Sequence, residues 1–473
     1  MRCFAAVALL AVIAPCVVAK DADAKDAARW VRNALETSDA KAREKELAKL
    51  AGWTLTADSA RQVRQATLDW QRQAPKELPK LEVIHEGAYG FDYEVRTRGT
   101  KYANFAMLDL PRGLSADTPV PLVIGLHSDL GTGWLELSGL RSCLRGGTGA
   151  LAECIIACPQ ALNRGNTATD PRNNPPGEKE YFGWGPKQAG IDTVLVLLDE
   201  LLAKFSIDRD RIYLTGVGMG GQACFDLVAL RPSQFAAICV RDAVPSFHMP
   251  EVKEDQLEQL RTDRKLHEQS AEMPYAACFA ATPVFWAHAD DDKKFPTAWA
   301  RQARDAMKAA GASVDYREYE GFHGGGPASL TAALLGECLK IRRTTPTALV
   351  ARNTIADKDR IGNDRWFWLR VKGFKRLGAR TDWPVKRHAG GLVKARIVRE
   401  ENAVYIDSDE VSEVEVLLHD DMLYIDREIR LVINGKESTT KPPPRDLELL
   451  ARTADEARHS SEVYYARLTL KLR

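Results

Sequence analysis

Gly216-Val217-Gly218-Met219-Gly220-Gly221 constrains the fold of this chain more than any other stretch. It follows the strand-like run Arg211-Ile212-Tyr213-Leu214-Thr215 and opens an apolar helical pattern from Met219 to Leu230. Glycine reaches left-handed φ without steric penalty and presents no Cβ to a neighbour. Glycine at this density therefore marks a sharp strand-to-helix turn with close backbone approach. A turn of that kind belongs to a sheet whose strands alternate with helices.

The flanking sequence supplies the alternation. Continuous apolar runs, as expected of strands buried on both faces, occur at Pro119–Leu126, Cys154–Cys158, Arg211–Thr215, Phe235–Val240, Pro283–Ala287 and Val314–Tyr319. Helical stretches at Thr193–Phe205, Met219–Leu230 and Thr297–Ala310 separate most of them. The fold class read from this is α/β, a doubly wound and mainly parallel sheet occupying 81–344. Phe91–Arg96 and Tyr102–Leu110 alternate in polarity and are expected to form a half-exposed antiparallel edge. The charged stretch Ser246–Pro274 is a candidate lid.

Residues 20–80 read as an N-terminal helical arm and linker. Trp30, Val31, Leu35, Leu47 and Leu50 recur at helical spacing, and Asp58 is placed to cap a helix from Ser59 to Trp70. The arm is expected to pack against the domain that follows it. Residues 345–473 read as a β-rich, β-sandwich-like module of short strands, with a hairpin at Asn434-Gly435 and one helix, Arg445–Ala457. Trp366 and Trp368, alternating with Phe367, read as core residues, with a carbohydrate platform as their other use.

A length of 473 residues calls for two or three domains, and a net charge of +1 gives no support for a nucleic-acid partner. Arg2, the apolar run Phe4–Val18 and the small residues before Lys20 make 1–19 a signal peptide. The chain is therefore expected to be secreted or periplasmic. No later apolar run is long enough for an integral membrane segment. Seven of the nine cysteines remain after cleavage, with Cys143 and either Cys154 or Cys158 the nearest disulfide candidates. Cysteine and histidine spacing calls for no metal, and no cofactor is expected.

Three further segments give the glycine turn its chemistry. Gly125-Leu126-His127-Ser128-Asp129 follows an early buried strand. His288-Ala289-Asp290-Asp291-Asp292-Lys293-Lys294-Phe295-Pro296 ends a later one, and Tyr319-Glu320-Gly321-Phe322-His323-Gly324 follows the last. Together with the glycine turn they resemble the α/β-hydrolase superfamily of esterases, dienelactone hydrolases and prolyl-oligopeptidase-like proteins. The matching segments there are the L-H-G-x-G stretch, the G-x-S-x-G-G nucleophile elbow, the H-G-x-x-D-x-x-V-P acid loop and the Y-x-G-x-x-H base turn. The resemblance spans about residues 83–342. It implies Asp292 as acid, His323 as base, the backbone N–H groups of Ser128 and Met219 as oxyanion hole, and the nucleophile at position 218. That position is Gly218.

Gly216, Gly218 and Gly221 also satisfy G-x-G-x-x-G, with Asp242 placed to meet a ribose as in dinucleotide binding. That reading leaves the acid loop and the base turn unexplained, and the turn lies too deep in the sheet. His288 is expected to be a structural residue, and His127 receives no catalytic role.

Glycine cannot attack a carbonyl. Loss of a serine nucleophile costs about six decades in rate, while roughly three or four decades over water survive from the oxyanion hole and binding. The first functional reading is therefore a secreted α/β-hydrolase-fold protein that lacks ordinary serine-hydrolase activity. It would bind a small ester- or peptide-like ligand or a protein partner. The second is an active carboxylic-ester or peptide hydrolase, using Ser128 or Thr215 as a displaced nucleophile or a water held by His323. A third makes the central domain inert and the C-terminal module an attachment device.

Overall fold

The computed structural model describes residues 20–472 except 38, 72–77, 86, 98–99, 130, 146–148, 162–183, 185–189, 246–275, 355–364, 375–378, 381–386, 389 and 457–461. The signal peptide at 1–19 and the candidate lid at Ser246–Pro274 lie outside the described residues.

The chain begins with two short strands, β1 (Lys20–Asp21) and β2 (Trp53–Thr54), which pair in parallel. Between them lie α1 (Ala24–Glu36) and α2 (Ala40–Ala48). Each helix starts at an aspartate whose carboxylate takes orphan amide protons: Asp23 accepts from Lys25 and Asp26, and Asp39 from Ala42. The third helix, α3 (Ala57–Gln71), starts earlier than its sequence indicates. Asp58 is inside it, and the Thr56 hydroxyl accepts from the Ser59 N–H at 3.1 Å instead.

The central sheet has nine strands: β3 (Val83–His85), β4 (Ala88–Thr97), β5 (Thr100–Asp109), β6 (Val120–Leu126), β7 (Ile155–Pro159), β8 (Ile207–Val217), β9 (Ala237–Arg241), β10 (Val284–Ala289) and β11 (Val314–Tyr319). Their spatial order is β11-β10-β9-β8-β6-β7-β5-β4-β3. From β7 to β11 every pairing is parallel, and β3, β4 and β5 join antiparallel. The expected antiparallel edge is thus only partly an edge, because β5 lies between β4 and β7 and buries Phe105, Ala106, Met107 and Leu108.

Among the described residues five helices cover the sheet: α4 (Gly133–Arg145), α5 (Gly190–Lys204), α6 (Met219–Leu230), α7 (Thr297–Ala309) and α8 (Ala328–Cys338). Strand periodicity sorts side chains to its two faces. In β8, Ile212 and Leu214 enter the core under α5, α6 and α7, whereas Tyr213 enters the one under α4 and α8. The chain leaves β6 for β7 on one side and then adds β8 on the other. The order of strands therefore reverses beside β6, and a crevice at the C-terminal ends of β6 and β8 follows from that reversal.

The C-terminal residues build two larger sheets. One has the order β12 (Ala348–Thr354), β17 (Gly390–Val398), β18 (Ala403–Asp409), β20 (Ile429–Ile433), β21 (Lys436–Thr440). The other joins β13 (Arg365–Trp366), β14 (Leu369–Phe374), β19 (Val411–Leu418) and β22 (Ala466–Lys471). A small pair, β15 (Ala379–Arg380) and β16 (Arg387–His388), stands apart. Asn434 and Gly435 both have positive φ and turn β20 into β21. The helix α9 (Leu447–Glu456) starts after Asp446, whose carboxylate accepts from Leu449 N–H.

Two sequence expectations are corrected here and one is met. Among the described residues the arm packs on the C-terminal part and not on the domain that follows it. Ala27, Val31, Leu47 and Val63 share one core with Trp368, Val416, Leu450 and Tyr464. Polar ties reinforce that contact: Leu55 N–H to Arg445 O, Arg64 Nε to Val463 O, and Gln71 Nε2 to Ala454 O. Local patterning shows that a helix has an apolar stripe but not which distant segment covers it. Trp366 and Trp368 are core residues, as expected, at 3% and 0% exposed, which leaves the alternative carbohydrate platform unsupported. Cys143, Cys154 and Cys158 are buried thiols and do not form a disulfide. Cys143 Sγ instead faces the Ala328 carbonyl at the start of α8.

Arg343 fastens the C-terminal part to the sheet. It is nearly fully buried and bridges Asp210 of β8 at 2.7 Å and Glu462 at 3.0 Å. A substitution in the arm should be felt in the C-terminal part. Leu47→Ala is expected to lose about 2–5 kcal/mol there, as for a buried leucine truncation. Hydrogen exchange should speed up in β14, β19 and α9 while β6 and β8 keep their protection.

Candidate active site

The crevice at the ends of β6 and β8 is built by the glycine turn. Gly218 has φ 55° and ψ −117°, in a region that side-chain-bearing residues avoid. Gly220 is required for a different reason: a Cβ there would lie 1.8 Å from the Leu126 carbonyl oxygen. The first turn of α6 is therefore pressed against the end of β6. Met219 opens α6, so its N–H is one of the donors left without an acceptor inside the helix. Ser128, two residues after β6, is half-buried.

The acid loop and base turn converge on the same crevice. His323 Nδ1 lies 2.8 Å from Asp292 Oδ2. The other oxygen of Asp292 accepts from the N–H groups of Lys294 and Phe295, each at 2.8 Å. Burial alone would raise the Asp292 carboxyl, but the His323 bond and the Phe295 N–H outweigh it and hold it below the ordinary range. With Nδ1 engaged, Nε2 is the nitrogen His323 offers, and that atom is buried without a hydrogen-bond partner. A Cβ added at Gly218 would lie 2.9 Å from it and 2.8 Å from Ser128 Oγ. One small space therefore has glycine as its floor, an imidazole nitrogen on one side and a serine hydroxyl on the other.

Thr215, the other hydroxyl considered from sequence, is not in this space. It faces the Cys239 thiol and lines a separate cavity below the turn. His127 is fully enclosed. Its Nδ1 meets the Ser128 carbonyl and its Nε2 accepts from Ala161 N–H, while burial pushes the ring down to about 4. His288 is likewise structural: burial lowers its pKa, and Nε2 donates to Phe295 O at 2.8 Å. Its 3.6 Å approach to Asp292 is accordingly a contact of a neutral ring and not an ion pair.

Asp242 overturns the dinucleotide reading. It is 0% exposed, so no ribose reaches it. Oδ1 accepts from Ala289 N–H; Oδ2 accepts from the Tyr319 hydroxyl at 2.5 Å and from Gly324 N–H at 2.9 Å. It thereby ties the end of β9 to the end of β10 and to both sides of the His323 turn. Sequence reasoning missed this role. The only signals were an acid in an apolar run and the tyrosine of the base turn. Asp242, His288 and Asp292 lie within 4.8 Å of one another. Their carboxylate oxygens already accept N–H or O–H groups, so a cation would have to break these bonds.

Residues 185–329 match the prolyl oligopeptidase family. Similar solved structures include a thermostable esterase, at 18% identity over 54% of this chain and 63% of that one, with a TM-score of 0.35. A ferulic acid esterase covers 53% of this chain and 95% of its own at 18% identity, TM-score 0.38. An acylaminoacyl peptidase of Pyrococcus horikoshii covers 56% and 42% at 13% identity, TM-score 0.37. The chain thus spans less than two thirds of the first of these. No curated protein matches it. The α/β-hydrolase fold follows from the strand order, the elbow and the family match, and not from these remote likenesses.

The depressed Asp292 pKa has a consequence for acid stability. Its contribution is complete above the unfolded value of 3.8 and is lost as pH falls through the lower folded value. Chemical denaturation at about pH 6 and about pH 3 should therefore find Asp292→Asn less stable than wild type at the higher pH. The gap should narrow at the lower one. The low-field Nδ1 proton signal of His323 should disappear in the variant.

Proposed function

We propose that this is an exported hydrolase-fold protein that binds an ester- or peptide-like ligand in the Gly218 crevice without forming an acyl-enzyme. The observation that carries this reading is Gly218 at the elbow, beside a bonded Asp292–His323 pair. Asp292 orients the imidazole, and its unpartnered Nε2 takes a hydrogen bond from the ligand or, when protonated, gives one. The N–H groups of Ser128 and Met219 receive a carbonyl or carboxylate oxygen, as an oxyanion hole would. Binding needs only these donors and the crevice. Covalent turnover also needs a nucleophile that position 218 does not supply.

Crowding around Gly218 supports a site adapted to glycine. A side chain there meets Ser128 Oγ and His323 Nε2 at under 3 Å, so both would have to move aside. The apolar run Phe4–Val18 supports export. Among the described residues no helix is long and apolar enough to cross a membrane.

A second reading is favoured by one specific observation. Ser128 Oγ and His323 Nε2 border the same small space, which is what a displaced hydroxyl nucleophile and its base require. A fluorophosphonate probe separates the two readings. The expected result is no labelling of the unmodified chain and labelling at position 218 after Gly218→Ser. Covalent label on Ser128 of the unmodified chain would replace the first reading with the second.

A further inference from the structure

Below the glycine turn lies a cavity of about 220 Å³ between the sheet and the helices α4 and α8. Ser128, Gly218, Met219, Asp292 and His323 do not border it, so it is separate from the crevice above. Two charged side chains do: Glu136 from α4 and Arg241 from the end of β9. They do not pair with each other. Arg241 Nη1 donates to Thr331 Oγ1 at 2.8 Å, and its Nε stands 3.8 Å from Asp242 Oδ2 without a hydrogen bond. The Glu136 N–H donates to the Thr132 carbonyl, and among the described residues its carboxylate has no hydrogen bond or ion pair. Burial pushes its carboxyl up to about 7, against the pull of Arg241. Leu140 and Val240 also line the cavity and supply apolar wall.

Glu136 is half-buried beside apolar wall, so a cation arriving next to its carboxylate gains an ion pair partly shielded from water. A guanidinium with donors to spare is the preferred partner of a carboxylate. One molecule carrying both an ammonium and a carboxylate satisfies both heads. The cavity is smaller than the ~300–1,000 Å³ of a pocket for drug-sized ligands, which limits the occupant to the size of an amino acid.

We propose that this cavity binds a small zwitterion, an amino acid or short amino-carboxylic acid, with its carboxylate on Arg241 and its ammonium on Glu136. The cavity and the crevice share backbone. The carbonyl of Arg241 accepts from Gly218 N–H at 3.0 Å, and the next residue, Asp242, holds the His323 turn. The site stands independently of what the crevice does.

Titration calorimetry of the full chain tests it with glycine, L-alanine, L-serine, β-alanine and 4-aminobutyrate, against butyrate and butylammonium as one-headed controls. At least one zwitterion should bind roughly ten-fold or more tightly than either control, the worth of one charge-assisted bond. Glu136→Gln, close to isosteric, should lose about that factor. Gly139 of α4 borders the cavity, and a Cβ added there meets nothing within 4 Å. Gly139→Leu is therefore compatible with the helix, and its side chain should obstruct the cavity and abolish binding. The proposal is overturned if no zwitterion binds the unmodified chain at concentrations on the order of 10 mM. It is equally overturned if Glu136→Gln binds as well as wild type, or if Gly139→Leu leaves the affinity unchanged.

Discussion

The buried carboxylate of Asp242 organises the site from beneath. It has no contact with solvent, yet its two oxygens collect three donors from three places: Ala289 at the end of β10, Tyr319 at the end of β11, and Gly324 beyond the base. An acid this deep is tolerated only when its lone pairs are used. Because they are used by both flanks of the His323 turn, the imidazole is aimed before any ligand arrives. Asp292 then sets its orientation, and the helix α6 brings its N-terminus to the same point. Remove Asp242 and the bond between Asp292 and His323 has no fixed frame.

Against this frame Gly218 is a chemical omission rather than a structural collapse. The backbone still makes the left-handed turn that a serine would occupy only under strain. What changes is the space above it. Ser128 Oγ and His323 Nε2 close to within 3 Å of where a Cβ would sit. The site therefore keeps the Asp292–His323 pair and a helix N-terminus while position 218 carries no side chain. A cavity lined by Glu136 and Arg241 lies below the same strand end, so the elbow has a second chemical neighbour.

Much of this was legible in the sequence because it is local. The six apolar runs became strands, and the His288–Pro296 register singled out Asp292 from three consecutive aspartates, the one that meets His323. The glycines read correctly as close approach. Other features were hidden because they join residues far apart. No pattern near Val31 or Leu47 indicates that their partners are Trp368 and Leu450. Asp242 suggested a ribose contact because an acid twenty residues beyond a glycine turn is a known signature, and only burial shows otherwise. The pairing suggested for Cys143 rested on nearness in sequence, which does not point two thiols at each other.

The central claim is that the crevice keeps a base and acid but performs no hydrolysis through them. Steady-state turnover of a short-chain p-nitrophenyl ester, compared between the unmodified protein and His323→Ala, tests it most directly. The expected result is the same low rate for both proteins, at the level of nonspecific ester cleavage. A rate in the unmodified protein that His323→Ala abolishes, with the variant folded and equally stable, would contradict it.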